Sequence, residues 1–152
     1  LEWLGDAAAA RWPLHLITVQ PSDRLHSQLD QAPLAQGNKT AGKETIQMRP
    51  DDAAARGLRE GGVVRVHNAR GACLAGLRLN AGLAPGVVVM ATGAWFDPGF
   101  GTQREDVEQA GNPNVLTLDI GTSSLTQGPN AMSCLVEVSA VETPPQAVGK
   151  KP

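Results

Sequence analysis

Six short apolar runs, each ended by a turn-forming or polar residue, constrain this chain more than anything else in it. They are LHLITV (14–19), ETIQM (44–48), VVRVHN (63–68), CLAGLRLN (73–80), VVVMATG (87–93) and CLVEVSAV (134–141). Runs of this length, rich in β-branched residues and partly alternating, read as strands that bury at least one face. In the last of them Cys134, Val136 and Val138 share one face, and Leu135, Glu137 and Ser139 the other. Ala69-Arg70-Gly71 joins two of the runs with the length of a hairpin loop, and Pro85-Gly86 turns the chain into VVVMATG. Only RPDDAAARGLREGG has helix grammar: Pro50 suits the first helical position, Asp51 and Asp52 suit the positive end, and Gly57 can close the helix in a left-handed conformation. Six or seven strands, one helix and frequent Gly and Pro turns predict a mainly β fold, a barrel or a sandwich. The stretch after RLHSQLD is expected to be a surface loop, as is the long aperiodic segment from Trp95 to Pro113.

With 152 residues, 41% of them hydrophobic, the chain suits one domain with a core of its own. The domain is expected to span residues 13–142, after a lead-in of residues 1–12 and before a flexible proline-rich tail, 143–152. A formal charge of -2 and the lack of a Lys/Arg run argue against a nucleic-acid surface, which needs clustered cations. No apolar run approaches the ~20 residues that span a bilayer, and LEWLGDAAAAR is not a secretory leader. A start at Leu1 in place of Met suggests a piece of something longer. Cys73 and Cys134 lie in apolar runs and read as packed thiols; no C-x-x-C or histidine cluster points to zinc.

No nucleophile elbow, phosphate loop, zinc-protease motif or dinucleotide fingerprint is present. His15 and His67 sit in strands and read as packed or solvent-facing. His26 differs, because it follows the Gln20-Pro21-Ser22-Asp23 turn with Arg24, Ser27 and Gln28 beside it; such a group either meets a ligand or ties down its own loop. GNPNVLTLDIGTSSLTQG (111–128) repeats that character on a larger scale. Asn112, Asn114 and Gln127 offer amides, Thr117, Thr122, Ser123 and Ser124 hydroxyls, and Gly111, Gly121 and Gly128 leave room for close approach. Amides suit the edge of a flat heterocycle, glycine-opened backbone suits phosphate, and an ordinary turn-rich loop has the same composition. In GAWFDP (93–98), Asp97 can accept from a guanine-type amidine edge, while Trp95 and Phe96 either cover a flat ligand or pack internally.

In order along the chain, PLHLITVQPSDRLHSQLD, RPDDAAARGLREGGVVRVHNARGACLAG, APGVVVMATGAWFDP and GNPNVLTLDIGTSSLTQGPNAMSCLVEV resemble the C-terminal domain of molybdopterin oxidoreductases of the dimethyl sulfoxide reductase family, nearest the branch of biotin sulfoxide and trimethylamine N-oxide reductases. The resemblance implies a double-psi β-barrel closing over bis(molybdopterin guanine dinucleotide). Asn112, Asn114, Thr117, Gln127 and Gly128 then match the family's polar loop, and Arg24, His26, Ser27 and Gln28 a second loop; Trp95 and Asp97 complete the candidate cofactor-binding set. It also implies that the molybdenum-ligating serine and most of the substrate funnel lie upstream. This stretch would hold no catalytic or metal-ligating residue, would lack turnover alone, and would have as partners the other domains of the same enzyme and an S-oxide or N-oxide substrate. A cytoplasmic location is expected, or a periplasmic one if the full chain carries a twin-arginine signal.

Where relatives read Asn-Pro-x-Asp-Ala, this chain has Arg49-Pro50-Asp51-Asp52-Ala53, so a helix cap worth about 1 kcal/mol is gone, in part offset by the two aspartates. A stand-alone double-psi barrel binding module is the rival expectation. A self-cleaving pyruvoyl decarboxylase would need a Gly-Ser bond, which the sequence lacks.

Overall fold

A computed structural model describes residues 5–100, 107–130 and 132–141. Along the chain run α1 (Gly5–Arg11), β1 (Leu14–Val19), α2 (Pro33–Asn38), β2 (Thr45–Met48), α3 (Pro50–Ala54), β3 (Val63–His67), β4 (Ala72–Leu79), β5 (Val87–Ala91), a 3-10 turn (Pro113–Val115) and β6 (Ser133–Ala140).

Alternation along the strands is what closes them. Leu14, Leu16 and Thr18 of β1 point inward and His15, Ile17 and Val19 outward, while β2, β3 and β5 alternate in the same way. A sheet with one apolar face can bury it by curling on itself, and the strands do so in the closed order β1-β5-β2-β4-β3-β6. Closure leaves no free edge among them. β1 runs parallel to β5 and β2 parallel to β4; the other four pairings are antiparallel. Parallel neighbours cannot be joined by tight turns, so the chain must cross the barrel ends, and it is there that long loops gather. Register stacks the core: Leu16 lies opposite Val88 and Cys134, and Val66 opposite Cys73 and Val138. Each fully buried Leu, Ile, Val or Met contributes about 1.5–3 kcal/mol.

The expected mainly β barrel and the 63–80 hairpin are present. The expected helix begins at Pro50, and Gly57 ends its last turn at φ +66°. As the sequence predicts, Arg49 caps nothing with its side chain. Its guanidinium instead donates to the carbonyls of Ala81 and Leu83 at 3.2 Å, and Asp52 accepts from the Gly86 N–H at 2.8 Å, so both ends of the 81–86 turn are tied to α3.

Two expectations need correction. The loop after RLHSQLD contains α2, a single turn whose Ala35 is fully buried. Pro33 presets its first φ, while Gly37 and Asn38, poor helix formers, hide it from pattern reading. β4 is buried on both faces over Ala72–Leu77. Val107 covers Ala72 and Leu74 from outside, and Gly76 passes so close to Thr40 that a Cβ would overlap its carbonyl. The segment Trp95 to Pro113 is accordingly no simple surface loop, since Val107, Glu108 and Gly111 to Pro113 are all buried. Residues 101–106 and the expected tail, 143–152, lie outside the described residues.

Candidate functional site

β1 and β5 lie side by side and parallel, so the loops that follow them, 20–32 and 92–100, leave from the same end of the barrel. β2 is antiparallel to β5, which brings the start of β2, and Glu44 before it, to that end as well.

Arg24 ties these pieces together. Its side chain is 1% exposed and meets Glu44 at 2.6 Å, Asp23 at 3.2 Å and Asp30 at 3.5 Å, and it donates to the Thr92 carbonyl at 3.0 Å. Asp30, also fully buried, takes the Lys39 ammonium at 2.9 Å and accepts from the Trp95 N–H at 3.3 Å. Burial pushes the Glu44 carboxyl up, opposed by the charge and hydrogen bond of Arg24, the Thr45 N–H and Lys39. Two close approaches lock the same region. Gly93, at φ +95°, runs against the His26 carbonyl, and Gly111, at φ +90°, against the Cβ of Glu44; a side chain at either would collide.

Beside this cluster, Glu108 organises a second set of backbone groups. Its Oε1 accepts from the N–H groups of Asp97 (3.1 Å) and Ala110 (2.9 Å), and its Oε2 from those of Gly111 (2.8 Å) and Asn112 (2.7 Å). Asn112 is then held at both ends of its amide: Nδ2 donates to the Ala94 carbonyl at 2.9 Å and Oδ1 accepts from the Asn114 N–H at 3.0 Å, which starts the 3-10 turn.

The candidates from sequence fall into three groups. Arg24, Asn112 and Thr117 are buried and bonded within the protein; the Thr117 hydroxyl donates to the Asn114 carbonyl at 3.5 Å. His26, Ser27, Gln28, Trp95, Asp97 and Asn114 are exposed around the loop end. His26 holds a left-handed φ of +51°, and the Trp95 indole N–H donates to the Ser27 carbonyl at 2.8 Å, joining the two loops. Asp97 accepts from the Gly99 N–H through Oδ1 alone, leaving Oδ2 without a hydrogen bond among the described residues. Gln127 and Gly128 belong to a different loop, closed on itself by Thr122 N–H to Gly128 carbonyl (2.9 Å) and Gln127 N–H to Ser123 carbonyl (3.3 Å). They line a cleft of about 390 Å³ with Leu118–Gly121 and Pro129–Asn130.

Asp30, Lys39, Glu44 and Glu108 were not expected here. Glu44 reads as the start of a strand and Glu108 as part of a charged surface patch, and only their partners, far away in sequence, mark them as interior. Both cysteines are free, as packed thiols should be. Burial drives the Cys73 thiol far above its ordinary value, helped by Glu108, and pushes Cys134 up to about 11 against the pull of Arg70. His15 is exposed; burial and Arg65 lower half-buried His67, against Glu137. No group of metal-ligating side chains occurs among the described residues, nor is any described helix long and apolar enough to cross a membrane.

A closed six-stranded barrel with polar loops interlocked at one end defines the class of domain to which this chain belongs. Within that class the chain belongs to the Molydopterin dinucleotide binding domain family, whose model matches residues 14–135. It is 49% identical over 139 residues to the biotin sulfoxide reductase of Cereibacter sphaeroides, covering 91% of this chain and 18% of that protein. It is 48% identical over 141 residues to the trimethylamine-N-oxide reductase of Salmonella typhimurium, covering 92% of this chain and 17% of that protein. The chain therefore spans less than a fifth of these relatives' lengths. Among solved structures, acetylene hydratase from Pelobacter acetylenicus superposes on 88% of the chain and 19% of its own, with a TM-score of 0.66 at 16% identity, a likeness of fold alone.

Proposed function

We propose that this chain is the C-terminal cofactor-binding domain of a molybdenum S-oxide or N-oxide reductase, and that its loop end holds part of bis(molybdopterin guanine dinucleotide). The observation that carries the proposal is the exposed Asp97 carboxylate, one of whose oxygens accepts no hydrogen bond among the described residues, on a loop fastened to both neighbouring loops. A planar carboxylate matches the paired N–H donors of a guanine edge. Trp95, its N–H already bonded, offers an exposed ring face beside it. The exposed side chains of His26, Ser27, Gln28 and Asn114 supply mixed donors and acceptors for pterin and linker, while Arg24, Asn112 and Thr117 hold those loops from behind.

Among the described residues, the lining of the cleft beside Gln127 and Gly128 includes Asp119 and no Lys or Arg. That composition suits a neutral heterocycle edge, met by Gln127 and the Gly128 backbone, better than a phosphate. When bound, the molybdenum carried by the pterins supplies two-electron oxygen-atom chemistry. This chain's residues bind and orient the ligand and exclude water from it.

Residues 13–142 form the binding domain in this proposal, and the rest of the same polypeptide is the partner. Leu25, Leu29, Trp95 and Phe96 are each more than half exposed on the loop end, which suits a face covered by further chain. The likeness to biotin sulfoxide reductase favours the cytoplasm, and an upstream twin-arginine signal would move the protein to the periplasm.

The test is metal and pterin analysis of the protein from its complete reading frame, with dye-linked reduction of biotin sulfoxide and trimethylamine N-oxide. Molybdenum near one per chain is expected, with lower content or turnover in Asn114→Ala and His26→Ala. Unchanged molybdenum and turnover in both variants would remove these residues from the site, and a metal-free, pterin-free protein would leave a binding module.

A further inference from the structure

We propose that Glu108 is a positioning residue for nucleotide recognition, its carboxylate setting the spacing between the Asp97 loop and the Asn112 loop. The proposal rests on Asp97 meeting the guanine end of the cofactor, as above.

Glu108 is 4% exposed, and no Lys or Arg among the described residues lies in ion-pair distance of it. Four backbone N–H groups hold it instead, from residues 97, 110, 111 and 112. Converging amide dipoles can hold a buried carboxylate without a cation. The backbone of Glu108 is itself pinned to the barrel wall, its N–H donating to the Ala72 carbonyl (3.0 Å) and its carbonyl accepting from the Leu74 N–H (2.8 Å). One side chain thus refers two ligand loops to the same strand, β4.

Without Oε1, the Asp97 backbone keeps one hydrogen bond to this segment, from the Gln109 N–H at 2.8 Å. Without Oε2, Asn112 loses the bond that aims its amide at the Ala94 carbonyl. Glutamine cannot replace the carboxylate: whichever way its amide turns, an NH2 faces two N–H donors. Glu108→Gln should therefore loosen one loop while leaving the apolar core untouched.

The experiment is a double-mutant cycle in the full-length, cofactor-loaded protein, comparing wild type, Asp97→Asn, Glu108→Gln and the double variant. The readouts are the rate at which the intact cofactor dissociates, followed by its guanine content, and the melting temperature of the cofactor-free protein. Loss of one charge-assisted hydrogen bond predicts roughly tenfold faster release for each single variant. The double variant should release more slowly than two independent effects would give, because Glu108 acts in part through Asp97. The cofactor-free Glu108→Gln protein should fold cooperatively and melt modestly below wild type, because two buried N–H donors then face an NH2.

Wild-type release from Asp97→Asn would refute the reading of Asp97 and the proposal with it. Fast release from Asp97→Asn with unchanged release from Glu108→Gln, or with multiplying effects, would overturn the role of Glu108 and leave the site standing. If Glu108→Gln does not fold, Glu108→Asp takes its place, retaining the charge but one carbon too short to meet both loops. Failure of that variant also to fold would make Glu108 a framework residue and overturn the proposal.

Discussion

Arg24→Met should be the most damaging single substitution at the loop end. The guanidinium is 1% exposed and meets Glu44 at 2.6 Å and Asp23 at 3.2 Å, with Asp30 at 3.5 Å. Methionine fills much of the stem's volume, so the main loss is electrostatic. Asp30 keeps Lys39 and Asp23 keeps the Asn38 amide. Glu44 is left with the Thr45 N–H at 3.3 Å as its remaining hydrogen bond. Removing one partner of a buried ion pair costs about 3–5 kcal/mol, mostly because the other charge stays buried and unpaired. With a urea slope of about 2 kcal/mol/M, the unfolding midpoint should fall by roughly 1.5–2.5 M. The closed barrel has its own core, so urea unfolding of the 152-residue chain followed by tryptophan fluorescence is a suitable assay. The pH dependence fixes the cause. A carboxyl whose folded-state pKa is raised above its unfolded value binds more protons in the folded state, so its contribution is present below about 4.5 and is lost as pH rises through the folded value. Removal of Arg24 raises that folded value further. The penalty of Arg24→Met should therefore shrink on going from pH 7 toward pH 4.5, and adding Glu44→Gln should recover part of it at pH 7. A loss below 1 kcal/mol at pH 7, or one of equal size at both pH values, would refute this account of the cluster.

Gly93→Ala combines a φ of +95° with a Cβ that would overlap the His26 carbonyl. Strain of about 1–3 kcal/mol is expected from the dihedral alone, seen as a lower urea midpoint together with faster nucleotide release from the full-length protein. For Cys73 and Cys134, both pushed well above the range in which thiolate forms, neither thiol should react measurably with a disulfide reagent at pH 8 until the chain unfolds. Reaction of Cys73 in the native protein at the rate of a free thiol would show the core to be open.

The strands were legible because their information is local: short apolar runs, some with period-two alternation, and Gly, Pro or polar punctuation marked all six, and the cap-poor entry at Arg49-Pro50 was visible as well. Strand order was less so. Nothing in LHLITV or VVVMATG says that β1 and β5 are parallel neighbours, because alternation specifies a face and not a partner. Likewise, the burial of both faces of β4 depends on Val107 and Thr40, residues outside the strand.

The site divides along the same line. His26, Ser27, Gln28, Asp97 and Asn114, exposed polar groups on turn-rich loops, could be picked out from composition. Asp30, Glu44 and Glu108 could not, because a charged residue in a polar stretch reads as surface unless its partner is known, and Arg24 is paired with Glu44 across 20 residues and bonded to Thr92 across 68. A ligand site needs both kinds: exposed groups with hydrogen-bonding capacity to spare, and buried ones whose capacity is used up in fixing where the first kind stand. The first can be replaced with little effect on the fold. Replacing the second leaves a buried charge or a set of N–H donors unpaired. Substitutions at this end of the barrel should therefore separate into exposed positions that affect cofactor retention with stability unchanged, and buried positions, Arg24 and Glu44 above all, that lower both together. Glu108, buried and held by four backbone N–H groups, is the position at which that division is most sharply tested.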